Sequence, residues 1–265
     1  MPIKVITRID KKQVLIGNHN RYSSSIWKET IMENQSDWKA KIAFLCYLTL
    51  AAGLLVGSTI VAFIVLGLGL DFQELSFPLA LLSLPITEGI ILAITLLFAK
   101  YDGASLRNLG LKKPSLKIIA IVSVAAVLLL LLAGGISLVQ ETVLGPDPQA
   151  ELLTEALLPR DSLQLIALIG ISIAIVGPAE ELAFRGFVQR GFENSFGKTA
   201  GLVIASLLFG LLHGLNSLRS ILPVTVVSLF LGYIWQKTDG NTTASAWMHG
   251  LYDAIAIAIT YFAYV

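Results

Sequence analysis

Long apolar runs separated by short polar segments dominate this chain, and their lengths decide the first reading. Crossing about 30 Å of hydrocarbon takes some 20 helical residues. The runs that approach or exceed that length are 42–70, 77–99, 116–139, one starting near Ser162, 199–217, 220–236 and 242–264. Backbone groups find no water inside a bilayer, so each run predicts a helix. The expected fold is all-α, a polytopic transmembrane helical bundle of about seven spans, with 220–236 the shortest. Residues 1–41 hold no such run and form a polar leader before a transmembrane domain over 42–265. Between Pro146 and Pro159, apolar residues recur at helical spacing after Asp147, which predicts a short helix lying on the membrane interface.

Composition agrees with the pattern. Hydrophobic residues make up 55% of the 265 and charged residues 14%, where soluble domains carry about 25% charged. The net charge is +1, with no clustered basic patch, so nucleic acid is excluded as a partner. The leader carries eight of the nineteen Lys and Arg residues and lacks the apolar core of a cleavable signal peptide. Met32 is an alternative start, in which case the residues before it would be no part of the protein. The one cysteine, Cys46, lies in an apolar run and has no internal partner.

Basic residues near span ends mark the cytoplasmic side. They alternate here. The leader, the segment with Lys100, Arg107, Lys112, Lys113 and Lys117, the segment with Arg185, Arg190 and Lys198, and the turn with Lys237 all read as inside. The intervening loops hold only Arg160 and Arg219. The protein is therefore expected in the cell membrane as a multi-pass protein, its amino terminus cytoplasmic.

One stretch breaks the apolar pattern. GPAEELAFR, residues 177–185, puts two carboxylates and an arginine into a span, and charge there is a functional-site signal by default. Adjacent helical residues point about 100° apart, whereas Glu181 and Arg185 at i,i+4 share a face. Glu181 therefore reads as the partner of Arg185, and Glu180 as the free carboxylate facing a cavity that Gly177 and Pro178 would open by loosening the helix. His213 lies 14 residues beyond Thr199, matching the depth of Glu180 above the turn near Asn194. His249 lies only about seven residues into the last run, nearer the cytoplasmic side. His249 and Asp253 repeat the i,i+4 spacing, so Asp253 is expected to orient His249 from behind. Glu88, after Pro85, is one more acid in an apolar run; a packing role and a substrate-facing role are both open to it. HExxH and GxSxG are absent.

EELAFR at 180–185, FGLLH at 209–213 and HGLYD at 249–253 match EExxxR, FxxxH and HxxxN/D motifs in that order on late spans. In these, and in RNLGLKKPS before them, residues of about 100–260 resemble the CPBP (Abi) family of intramembrane proteases. That family includes the Ras-converting CAAX proteases and bacterial proteins tied to bacteriocin processing or immunity. The resemblance implies an intramembrane endopeptidase, glutamate-dependent or metal-dependent. Glu180 would activate the attacking water, His213 and His249 would stabilise the oxyanion or move protons, and Arg185 would tie down Glu181. Asp253 stands where CAAX proteases often have Asn and, unless protonated, cannot donate as an amide does, so an orienting role is expected of it. The expected partners are the lipid bilayer and a membrane-associated peptide or protein, with prenylation left open. A metal-free site is preferred, with no cofactor required; were zinc to take part, Glu180, His213 and His249 would be its ligands. The alternatives are a proton-coupled transporter, for which no internal repeat speaks, and a non-catalytic immunity or adaptor protein of the same fold.

The alternation of basic residues makes a direct prediction. Single cysteines at Lys112 and Lys198 should react with a membrane-impermeant reagent only from the cytoplasmic side, and one at Gln149 only from the other. Reaction of Gln149→Cys and Lys112→Cys from the same side would rule out the seven-span arrangement.

Overall fold

The computed structural model describes residues 38–67, 69 and 76–264. The leader up to residue 37, and the loop with Asp71 and Glu74, lie outside the described residues. Every regular element among the described residues is helical. In chain order we label α1 Ala40–Gly67, α2 Ser76–Tyr101, α3 Leu116–Leu144, α4 Pro148–Leu157, α5 Ser162–Phe196, α6 Lys198–His213, α7 Ile221–Lys237 and α8 Thr242–Tyr264.

Polar residues between the runs set several of these ends. Ser115 accepts from the Ile118 amide at the start of α3, Asp147 from Gln149 at α4, and Asp161 from Gln164 at α5, each satisfying an amide the first turn leaves unpaired. The Asp147 carboxyl also accepts the Ser217 hydroxyl, which holds it below the usual carboxylate range and ties α4 to the 3₁₀ turn Leu218–Ser220.

Among the described residues, five segments are long and apolar enough to cross a membrane: Ala40–Ile64, Leu81–Tyr101, Leu116–Leu144, Ser162–Phe196 and Leu218–Lys237. Run lengths alone predict about seven. The difference lies in α6, which has 16 residues because the chain turns after His213, and in α8, where His249, Asp253 and several aromatic residues dilute 23 residues. Both helices that fall short carry a candidate histidine, His213 on α6 and His249 on α8.

Outward faces are apolar, with Leu116 89%, Phe63 71% and Leu131 69% exposed, as a surface facing lipid requires. Inside, one cluster joins α1, α2, α5 and α6 around Leu50, Ile91, Phe184, Phe187 and Phe209. A second joins α3, α7 and α8 around Val122, Leu129, Leu231 and Met248. Residues at the end of the expected leader belong to the first: Trp38 is 2% exposed, stacks on Phe187 at 4.7 Å and donates to the Phe187 carbonyl at 2.7 Å.

Helices α5 and α8 meet where both lack side chains. A Cβ on Gly177 would lie 2.7 Å from the Ala246 carbonyl oxygen, and one on Gly250 would lie 2.7 Å from Ile173 Cα. Only glycine permits that approach. The sequence suggests that Gly177 opens room for water; instead the space beside it is filled by the backbone of α8. The level of α8 is set at its start, where the Thr242 amide and hydroxyl donate to the carbonyls of Gly110 and Leu109, at 2.9 and 2.6 Å.

Gly250→Ala should push the two backbones apart and destabilise the protein by about 1–3 kcal/mol. Gly170→Ala, where an added Cβ meets nothing within 4 Å, should not. Thermal unfolding in detergent measures both, and equal shifts would contradict the contact.

Candidate active site

The charged stretch lies within α5, between two π-helical segments, Ser172–Val176 and Leu182–Gln189. In the first of these the Gly177 amide reaches back five residues to the Ser172 carbonyl. Such widened turns are rare and concentrate at functional sites. Between them, Gly177–Glu181 is α-helical and presents Glu180 and Glu181 to α8.

Arg185 and Glu181 are fully buried, with Arg185 Nε 3.1 Å from Glu181 Oε2. The guanidinium also lies over the Phe209 ring, 5.2 Å from its centroid. The other carboxylate oxygen, Glu181 Oε1, is 3.2 Å from His249 Nδ1. A carboxylate only accepts, so Nδ1 carries the hydrogen and the other nitrogen, Nε2, faces the opposite way. There it meets Glu180 Oε2 at 3.7 Å and Asp253 Oδ2 at 3.6 Å, both beyond direct hydrogen-bond length. The imidazole thus sits between two glutamates adjacent in sequence, one at each nitrogen. The side chains of Glu180 and Asp253 are 13% and 25% exposed, that of His249 7%, so access to the cluster lies on the Nε2 side.

His213 ends α6 half-buried, its Nδ1 donating to the Phe209 carbonyl at 2.9 Å, which leaves Nε2 for the site. Asp253 is within electrostatic range of it. Phe209 is the spacer of the site. Its ring centroid is 4.6 Å from that of Phe184, 4.5 Å from His213 and 6.0 Å from His249.

The six residues given roles from the sequence therefore gather around one point, with two differences of arrangement. The nitrogen of His249 that is held from behind is held by Glu181; Asp253 lies on the other nitrogen, beside Glu180. The expected mismatch in the depth of His249 is also absent. Arg190 packs against Gly240 and Trp235, so the end of α5 extends past the start of α8. Glu180, ten residues before Arg190, and His249, nine after Gly240, then fall at one level. Glu88 was singled out without a role. It is 4% exposed, and its carboxyl interacts electrostatically with Glu180, His249 and Asp253; its position after Pro85 in an apolar run was the one available signal.

Among the described residues no group of three or more His, Cys, Asp or Glu is arranged to hold a metal ion. A cavity of about 1090 Å³ between α3, α4, α7 and the tyrosines of α8 contains none of the six site residues.

Taken together, these features define a class: a helical membrane bundle whose polar groups converge on one buried imidazole held between two glutamates. Residues 162–255 match the sequence family described as type II CAAX prenyl endopeptidase Rce1-like. The matched region runs from the first residue of α5 into α8 and contains all six residues; α1 to α4, and Glu88 with them, fall outside it. No curated protein and no solved structure matches the chain.

Removing one member of a buried ion pair leaves the other uncompensated, at a cost of about 3–5 kcal/mol. Arg185→Ala should accordingly lower the yield of folded protein sharply, read by size-exclusion profile and thermal unfolding. Wild-type stability in that variant would mean that the pair does not hold the site.

Proposed function

We propose that the chain is an intramembrane endopeptidase that hydrolyses a peptide bond of a membrane-associated protein or peptide. What carries this reading is the placement of Glu180, partly exposed, beside a histidine whose far nitrogen is fixed by Glu181. Glu180 takes a proton from a water molecule, which attacks the scissile carbonyl. His213 and His249 stabilise the resulting oxyanion and return a proton to the departing amine. A positioned base contributes about 10²–10⁴-fold and an oxyanion donor about 10²–10³-fold, which are the two requirements of amide hydrolysis this cluster can meet. Asp253 steadies the exposed side of His249, while Glu181 and Arg185 keep the assembly in place. In this reading the reaction needs no metal; with zinc, Glu180, His213 and His249 would become ligands.

A shallow apolar groove of about 660 Å³ runs along α5 and α8 past Ile173, Leu251, Ala254 and Ile255. It supports a substrate whose apolar part, a hydrophobic peptide segment or a prenyl chain, lies in the bilayer next to the cluster. Counting α6 and α8 as spans would give seven, and the distribution of Lys and Arg supports a cytoplasmic amino terminus.

The test is cleavage of membrane peptides by purified protein. Glu180→Gln keeps shape and hydrogen bonding while removing the base, so it should lower cleavage by at least about 10²-fold with an unchanged unfolding temperature. Asp253→Asn should retain partial activity and His249→Ala almost none, and prolonged chelation should leave the wild type active. Full activity in Glu180→Gln would overturn proteolysis by this site, and loss on chelation with rescue by zinc would overturn the metal-free route.

A further inference from the structure

Glu88 reaches the cluster from a helix outside the matched region. The buried face of α2 carries Glu88, Ile91 and Thr95, at most 4% exposed, and α2 packs along Ser172–Gln189 of α5. The register follows from ring contacts: Phe98 meets Phe187 with centroids 6.2 Å apart. Glu88 lies ten residues before the first and Gly177 ten before the second, so on helices running the same way Glu88 stands within one turn of Glu180. Pro85 lies inside α2 one turn earlier and removes a backbone hydrogen bond there.

Three carboxylate oxygens at this level are buried without a hydrogen-bond partner, Glu88 Oε2, Glu180 Oε2 and Glu181 Oε2, and the last of these lies 3.1 Å from Arg185 Nε. Buried polar atoms are almost always paired, because an orphan forfeits its hydrogen bonds to water without replacement. That leaves Glu88 Oε2 and Glu180 Oε2, and a single hydrogen between the two carboxyls would satisfy both. The other charged groups around Glu88 are few. On α5, Glu181 and Arg185 are committed to each other; on α8 are His249 and Asp253; α1 contributes none within 42–67; on α4, Glu151 and Glu155 are solvent-exposed. Among the described residues, the cation whose charge acts on Glu88 is the His249 ring.

We propose that Glu88 is a positioning residue for the hydrolysis proposed above: one shared hydrogen joins its carboxyl to Glu180 Oε2 and fixes the direction in which Glu180 meets the attacking water. The proposal rests on that reading for its kinetics but not for the hydrogen bond itself. It also divides the two oxygens of Glu180. Oε2 is held between Glu88 and His249, and the 13% exposure of the side chain lies elsewhere on it, leaving Oε1 to take the proton.

Infrared difference spectroscopy and peptide cleavage test this together. Wild-type protein should show the carbonyl stretch of a hydrogen-bonded carboxylic acid, missing from both Glu88→Gln and Glu180→Gln. Glu88→Gln, whose amide can donate in place of the shared hydrogen, should stay within about threefold of the wild-type kcat, while Glu88→Leu should lose about 10- to 100-fold in kcat with little change in KM. Persistence of the band in Glu88→Gln, or wild-type kcat in Glu88→Leu, would overturn the proposal. If Glu88→Leu fails to fold, the infrared comparison on Glu88→Gln still decides, and if no peptide is cleaved by the wild type the reading of function fails while the band continues to test the pair.

Discussion

A guanidinium with no access to water in a membrane bundle must be neutralised where it stands, and the site is built around that requirement. Arg185 is fully buried and its nearest acid is Glu181, also fully buried. Desolvating both is expensive, so the pair is tolerated only because each charge answers the other. Glu181 has a second oxygen, and it is spent on His249 Nδ1. One carboxylate thus links the charge balance of α5 to the tautomer of an imidazole on α8. Phe209 closes the arrangement from a third helix, with its ring against Arg185, His213 and His249.

That link holds only if α5 and α8 come close enough for short side chains to bridge them. Between apolar helices in lipid no hydrophobic gain remains to press them together, and close approach comes from small residues. The contact of Gly177 and Gly250 with opposing backbone supplies it, one residue from His249 and three from Glu180. Regular helical geometry sends Glu180 and Glu181 about 100° apart, which would waste one of them on a flat interface. Here the imidazole enters the angle between them and uses both, one at each nitrogen.

What the sequence made legible follows the range of each interaction. Spans are visible because hydropathy is summed over neighbours, and Glu181 with Arg185 is visible because i,i+4 spacing along a helix is fixed. Pairings between helices are not. His249 and Glu181 are 68 residues apart and Trp38 and Phe187 149 apart, so their meeting depends on where helices cross and how far each extends past the other. The depth of His249 is hidden in the same way: α5 extends past the start of α8, which begins level with Arg190 and runs alongside the residues before it. Glu88 was hidden for the same reason. A single acid in an apolar run has no local partner to reveal its role, and the register of α2 against α5 is recorded in no motif.

The pairs Glu181 with Arg185 and His249 with Asp253 share the same spacing, yet the structure uses them in opposite ways. In the first, opposite charges close on each other at 3.1 Å and are withdrawn from solvent. In the second the ring is already held at Nδ1 by Glu181, so Asp253 meets Nε2, where Glu180 stands as well, at 3.6 and 3.7 Å. Neither distance is a direct hydrogen bond, and both carboxylates lie on the accessible side. The imidazole is therefore fixed at one nitrogen and uncommitted at the other. In the hydrolysis we propose, a group that first supports a developing negative charge and then releases a proton would use that asymmetry: the rigid contact preserves its orientation, and the loose side lets a proton change owner without the ring having to move.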